Sequence, residues 1–293
     1  MEATVSRRLA CSLFFLAVWL FAAHPVSAGR SEHLTKILHR FETHAADALA
    51  AWDVPGMSAA IVEGDEIVWA KGWGVREYGK KQSVDPDTVF QIGSITKSFT
   101  ALLAGMQTDA GKLAFNDRVI DHFPEFRMAD SWVNREFRIE DLFAQRSGLP
   151  TCGGDLQVMF GNGRDQVIDN IRHINPVTSF RNTFAYQNNF FLAAAAMIER
   201  QTGTTWSDDV RKRLLEPLGL KRTFITSREY LSALNRSAQH QRLDGWITTL
   251  SKEWPYQFAA ETFAPAGAIS STARDLATYM ATVSYTHLRA HET

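Results

Sequence analysis

The 293-residue chain is poor in several features that would place it quickly. It has two cysteines. Cys11 lies in the N-terminal segment, so Cys152 stands alone in the remainder and no intrachain disulfide is expected. Charge of one sign is also lacking: 31 basic against 32 acidic residues give a net charge of −1. Neither a nucleic-acid surface nor a charged disordered tail is expected from that balance. There is no internal repeat and no low-complexity tract. No G-x-S-x-G occurs, so a nucleophile elbow of the α/β-hydrolase type is unsupported. His33, His39, His44, His122, His173 and His240 fall in no H-x-H or H-E-x-x-H spacing, which disfavours a zinc hydrolase. The Gly-rich run Gly153 to Gly163 follows no strand in a G-x-G-x-x-G pattern, so a phosphate cradle is improbable and a mobile loop is expected.

Long apolar runs are limited to one, Leu9 to Ala23. It is short for a bilayer span of about 20 residues. Arg7 and Arg8 precede it and Val26-Ser27-Ala28 follows, the pattern of a secretory signal peptide cut after Ala28. The expected location is therefore secreted or periplasmic, with no stable membrane span after cleavage. At the other end, Val283 to Thr293 shows no apolar periodicity and resembles the translation of a sequencing adapter. The expected organisation is a signal peptide over 1–28, one domain over 29–282, and a non-native tail over 283–293. Native sequence continuing in frame past Thr293 at the source locus would refute the reading of the tail.

What the chain does have is the stretch from Phe90 to Gly111. Ile95, Phe99, Leu102, Leu103 and Met106 fall at i, i+4, i+7, i+8 and i+11, one face of a helix, and Gly111 stands where a terminating glycine belongs. Ser94 falls in the first turn, with Lys97 three residues on and on the same side. A helix N-terminus favours an alkoxide or oxyanion, and a desolvated lysine can take a serine proton. The competing reading is a capping serine followed by a solvated lysine.

Elsewhere, Ser31 is expected to cap a helix running to about Ala51, with Leu34, Ile37, Leu38, Phe41, Ala45, Ala48 and Leu49 on one face. Met57 to Val62 and Ile67 to Val75 read as a hairpin through Gly64-Asp65. Asp141 to Ala144 reads as the end of a short helix before the turn-rich Arg146 to Pro150. Phe190 to Gln201 is a clear helix with Gly203 at its end. Tyr186 and Asn188, two apart in an extended entry to that helix, point the same way. Taken alone, a buried tyrosine and a capping Asn188 or Asn189 are the favoured reading. Trp206 to Leu215 is helical, Asp244-Gly245 marks a second hairpin, and Thr272 with Asp275 approximates a capping box.

The combination of Ser94-Ile95-Thr96-Lys97 with Tyr186-Gln187-Asn188 resembles the serine β-lactamase and penicillin-binding superfamily. The nearest branch is that of class C β-lactamases, D-alanyl-D-alanine carboxypeptidases and their esterase relatives. Arg146-Ser147-Gly148-Leu149-Pro150, Glu216-Pro217-Leu218-Gly219 and Pro265-Ala266-Gly267 add softer likenesses in family order. The resemblance implies an α/β (α+β) fold with an antiparallel sheet flanked by helices and a mostly helical subdomain. It implies Ser94 as nucleophile, Lys97 or Tyr186 as its base, and Asn188 hydrogen-bonded to Lys97 and the substrate amide. No cofactor and no metal are implied. The expected partner is a small-molecule or peptide substrate: a β-lactam, a D-amino-acid peptide or a short ester. The family's third motif, a Lys/His-Thr/Ser-Gly triplet on a strand, does not follow Asn188. The resemblance places it beyond Thr282, so C-terminal strands are expected to be missing and this chain to be weakly active or inactive. The alternative is a penicillin- or peptidoglycan-binding protein that acylates without turnover.

Overall fold

The computed structural model describes residues 25–251 and 259–289. The apolar leader run falls outside them. The chain divides into two compact units, Met1–Val54 and Pro55–Thr293.

Among the described residues the first unit holds one helix, α1 (Pro25–Ala51). It starts ahead of Ser31, which therefore lies inside the helix and does not cap it. Pro25 suits the first turn, where its missing N–H has no helical partner to lose. The expected apolar face is partly covered: Ala45 is buried, whereas Ile37 and Phe41 are exposed.

The second unit opens with the expected hairpin, β1 (Gly56–Glu63) paired antiparallel with β2 (Glu66–Gly74), with a register shift at Ile61/Val62. Trp69 and Trp73 pack against each other at 5.6 Å on this hairpin. After β3 (Phe90–Gln91) comes a single 3₁₀ turn, Gly93–Ile95, and then α2 (Thr96–Asp109). Short helices follow: α3 (Val119–His122), α4 (Ser131–Glu136), α5 (Ile139–Phe143) and α6 (Arg164–Asp169). The long α7 (Asn189–Thr202) ends at Gly203 in the left-handed region, as expected. Next are α8 (Trp206–Val210), which continues into one π turn over Arg211–Leu215, and α9 (Ser227–Ser232). The second hairpin pairs β4 (His240–Leu243) with β5 (Trp246–Thr249). The last elements are α10 (Ala259–Thr262), α11 (Ala264–Gly267), β6 (Ser270–Ser271) and α12 (Ala273–Arg289). Among the described residues the strands form three antiparallel pairs, β1–β2, β3–β6 and β4–β5. The helix α12 lies on β1 and β2 and runs on into the expected tail, where Val283 packs against the core. Its N-terminus carries half of the expected capping box. Asp275 N–H donates to Thr272 Oγ1, but the Asp275 carboxylate instead accepts from Arg222 N–H and the Thr223 hydroxyl.

Two apolar clusters meet on α7. One gathers Phe126, Phe137, Phe190 and Met197 with the short helices. The other packs Phe99 and Leu103 of α2 against Ala195, Ile198, Trp206 and Tyr279. The alanines of α7 explain this placement. Ala193, Ala194 and Ala195 are fully buried and small, which lets neighbours approach on both sides without loss of helix propensity. Ile95 departs from the expected face and is 51% exposed. It belongs to the 3₁₀ turn, whose three-residue period breaks the 3.6-residue pattern of α2.

Candidate active site

The first strand pairing builds the site. β3 pairs with β6, and the Ile92 N–H donates to the Ile269 carbonyl at 3.0 Å. In return the Ile269 N–H donates to Thr96 Oγ1 at 3.1 Å. Thr100 Oγ1 donates to the Pro265 carbonyl at 2.7 Å and receives Trp206 Nε1–H at 3.0 Å. These bonds hold the start of α2 against Pro265–Ile269, which are more than 160 residues away in sequence.

Ser94 is exposed in the 3₁₀ turn, while Lys97 is buried in the first turn of α2. Lys97 Nζ donates to Ser94 Oγ at 3.1 Å, to Asn188 Oδ1 at 2.7 Å and to the Ala266 carbonyl at 2.7 Å. Three acceptors match the three N–H bonds of an ammonium group. The same nitrogen lies 4.8 Å from the Tyr186 ring centre and 5.2 Å from that of Phe191. The Tyr186 hydroxyl is in direct hydrogen-bond contact with Ser94 Oγ. The structure thus brings Ser94, Lys97, Tyr186 and Asn188 into one connected group.

Tyr186 and Asn188 reach the site from an extended segment. Ala185, Gln187 and Asn189 are buried on one side, whereas Phe184, Tyr186 and Asn188 alternate to the other. Reciprocal bonds to a single residue fix this segment. Gln187 N–H donates to Gln145 Oε1 at 2.6 Å, and Gln145 Nε2 donates to the Gln187 carbonyl at 3.1 Å. Asp141, fully buried, takes Arg146 and Arg181 together with the Arg138 N–H. That cluster ties the loop before the site to the strand entering it. Gly148 lies between them at φ +88°, and a Cβ there would stand 2.6 Å from the Thr178 carbonyl oxygen. Only glycine suits that position.

Asn188 occupies the cap position of α7, yet neither it nor Asn189 caps the helix through its side chain. Asn188 Nδ2 donates to Asp155 Oδ2 at 2.6 Å, and Asn189 Nδ2 donates to the Gly153 carbonyl at 2.8 Å. The expected mobile Gly-rich loop is accordingly pinned. Cys152 N–H donates to the Tyr186 carbonyl at 2.7 Å, and Gln187 Nε2 donates to the Pro150 carbonyl. The segment then forms a 3₁₀ helix, Asp155–Phe160, bounded by left-handed Gly154 and Gly161. The Cys152 thiol is pushed up from its ordinary pKa by burial and then by the Asp155 charge, which makes it a poor nucleophile. Two contributors escaped the sequence reading. The Ala266 carbonyl is a backbone atom within the Pro265-Ala266-Gly267 likeness. Asp155 had no distinguishing signal beyond being an acid in a glycine-rich run. His122 is held by Asp117 at 2.9 Å, and His240 Nε2 accepts the Tyr78 N–H at 3.0 Å. Neither belongs to this group.

A family model described as Beta-lactamase matches residues 41–292. The chain belongs to that family. It is 33% identical over 182 residues to a penicillin-binding protein 4 of Amycolatopsis lactamdurans, covering 61% of this chain and 46% of that one. It is 32% identical over 187 residues to an unguisins hydrolase of Aspergillus campestris, covering 61% of this chain and 34% of that one. Among solved structures it resembles the octameric penicillin-binding protein homologue of Pyrococcus abyssi, with TM-score 0.72, 24% identity and coverage of 83% of this chain and 55% of that one. The D-amino acid amidase of Ochrobactrum anthropi gives TM-score 0.64 at 23% identity, covering 80% of this chain and 66% of that one. The chain spans about a third to a half of the length of these two curated relatives. The fold is that of penicillin-binding protein homologues.

Proposed function

We propose that the protein is an exported serine hydrolase that works through an acyl-enzyme on an ester, amide or β-lactam carbonyl. One observation carries this reading: Ser94 Oγ touches both the Tyr186 hydroxyl and the Lys97 ammonium, at an exposed position. Ser94 Oγ bonds to the substrate carbonyl carbon and gives its proton to Tyr186 Oη, which hands its own to the departing heteroatom. Water then attacks the acyl ester along the same relay, its proton passing through Tyr186 back to Ser94 Oγ. Lys97 has its three protons engaged, so in this reading it is the fixed cation that stabilises negative charge on the two oxygens, and Tyr186 is the base. Asn188 orients Lys97 and is placed to meet the substrate amide. Export rests on the leader pattern, and N-terminal sequencing of secreted product beginning at Gly29 tests it.

The test of the chemistry is labelling with a fluorescent fluorophosphonate and a fluorescent penicillin, followed by turnover of D-amino-acid amides, short esters and β-lactams. Labelling that Ser94→Ala abolishes supports the reading, and labelling that survives the substitution overturns it. A burst of acylation without steady turnover assigns the protein to penicillin or peptidoglycan binding instead.

A further inference from the structure

Beneath Asn188 lies a half-buried acid that the proposed relay does not use. Asp155 Oδ2 accepts from Asn188 Nδ2 at 2.6 Å, and its Oδ1 is buried. An amide can face a neighbour in either of two ways, since its oxygen and nitrogen ends have the same shape. Asn188 stands between a cation and an anion. With Nδ2 turned to Asp155, Oδ1 is turned to Lys97, 2.7 Å away. Turned over, the amide would set N–H against the lysine ammonium and carbonyl oxygen against the carboxylate, and both contacts would be repulsive.

We propose that Asp155 is a positioning residue of this site, holding the Asn188 amide with its carbonyl toward Lys97 so that the lysine keeps three acceptors. The proposal deepens the reading of Ser94, Lys97 and Tyr186 as an acyl-transfer group and rests on it.

Three further observations support this. Asp155 is placed by the loop that is pinned to the site segment at four points: Pro150, Cys152, Gly153 and Asp155 itself. Gly154, at φ +86°, permits the close approach, because a Cβ there would meet Asn189 Nδ2 at 3.0 Å. The third is electrostatic. Burial raises the Asp155 carboxyl above its ordinary pKa, while the Asn188 N–H, the Cys152 thiol and the Lys97 charge pull it back. A carboxyl kept in so unfavourable a setting needs a compensating role, and ordering the amide supplies one. The charged and titratable groups facing it are Lys97 from α2 and Cys152 from its own loop.

The test has two independent arms. In the first, the rate of fluorophosphonate labelling is measured for wild type, Asp155→Ala, Asp155→Glu, Asn188→Ala and the double variant Asp155→Ala/Asn188→Ala. Outer partners that orient a reacting group commonly contribute about 10–100-fold, so Asp155→Ala is expected to lose that much in the maximal labelling rate with little change in the half-saturating probe concentration. Asp155→Glu should recover part of it. In the Asn188→Ala background the Asp155 substitution should add less than about twofold, because the two act through one contact. Wild-type rate in Asp155→Ala, or full additivity in the double variant, overturns the proposal. The second arm needs no activity: the Asn188 side-chain amide is followed by ¹⁵N NMR as pH is varied. Its signal should titrate with Asp155 in wild type and move to a new, pH-independent position in Asp155→Asn, a variant of the same shape. An Asn188 signal blind to both overturns the positioning role even if Ser94 labels normally. If Ser94 fails to label while the amide titrates, the catalytic reading falls and the contact stands.

Discussion

Lys97 Nζ, in the first turn of the helix that follows Ser94, donates to the Ala266 carbonyl at 2.7 Å, across 169 residues of chain. With Ser94 Oγ and Asn188 Oδ1 as the other acceptors, the lysine is held from three directions by three separate parts of the sequence. Its position is therefore a property of the folded unit and not of the α2 helix alone.

Lys97→Met is expected to lower acylation at least about 100-fold, since it removes the cation beside both oxygens. Lys97→Arg should recover little. A planar guanidinium cannot present three N–H bonds to acceptors arranged around one nitrogen. Probe labelling rates of the two variants check this.

Tyr186→Phe removes one hydroxyl whose recorded partner is Ser94. Turnover should fall about 10²–10⁴-fold while the urea midpoint moves little. A large loss of stability with unchanged turnover would contradict the relay.

Asp141→Ala should destabilise the fold by about 2 kcal/mol, because it deletes a buried acceptor of charged hydrogen bonds. The figure stays modest because Arg146 and Arg181 are partly exposed and can take up water. Urea unfolding measures it, and lower activity in the folded fraction should accompany it as the Tyr186 segment loosens.

Phe99→Ala empties a fully buried ring site that stacks on Tyr279 with centroids 4.1 Å apart. Losses of about 3–5 kcal/mol follow for such a truncation, readable in the same denaturation experiment.

Two acids should shape the acid limb of stability in opposite senses. Burial would raise the Asp85 carboxyl, but hydrogen bonds from Asn235, the Asp87 N–H and Thr88 outweigh it and hold it below 3.8. A lowered folded pKa contributes stability above the unfolded value that is lost as pH falls through the folded one. Asp155 is raised, so it favours the folded state in acid and ceases to do so as pH rises through its folded value. Asp85→Asn should therefore flatten the fall in stability below about pH 4, and Asp155→Asn should remove a decline above it. Melting temperatures across pH 3–7 check both signs.

Local spacing made half of the site legible. Ser94 and Lys97 are three apart and Tyr186 and Asn188 two apart, so short-range backbone geometry already brings each pair together. The hairpins and α7 were readable for the same reason, through turn residues and a terminating glycine. Ile95 was misplaced because the change from 3₁₀ to α geometry at Thr96 leaves no mark in the apolar pattern. Asn188 and Asn189 looked like caps because a cap is the usual use of that residue at a helix start, and their partners lie more than 30 residues away. Glycine content suggested mobility for the Gly153 loop, whereas its fixity comes from the Pro150 and Gly153 carbonyls that take the Gln187 and Asn189 amides and from the Cys152 N–H on the Tyr186 carbonyl, partners that no local pattern marks. Asp155 and the Ala266 carbonyl are unmarked for the same reason.

The Ala266 contact also has a consequence in time. A ribosome delivers Ser94 and Lys97 first, Asn188 91 residues after Lys97, and Ala266 169 residues after it. Until then the lysine lacks one acceptor, and the Thr100–Pro265 and Thr96–Ile269 bonds that seat α2 do not exist. The nascent chain thus carries its nucleophile through that interval without the setting that would arm it. Reactivity waits on a contact of high sequence separation and not on the local helix alone.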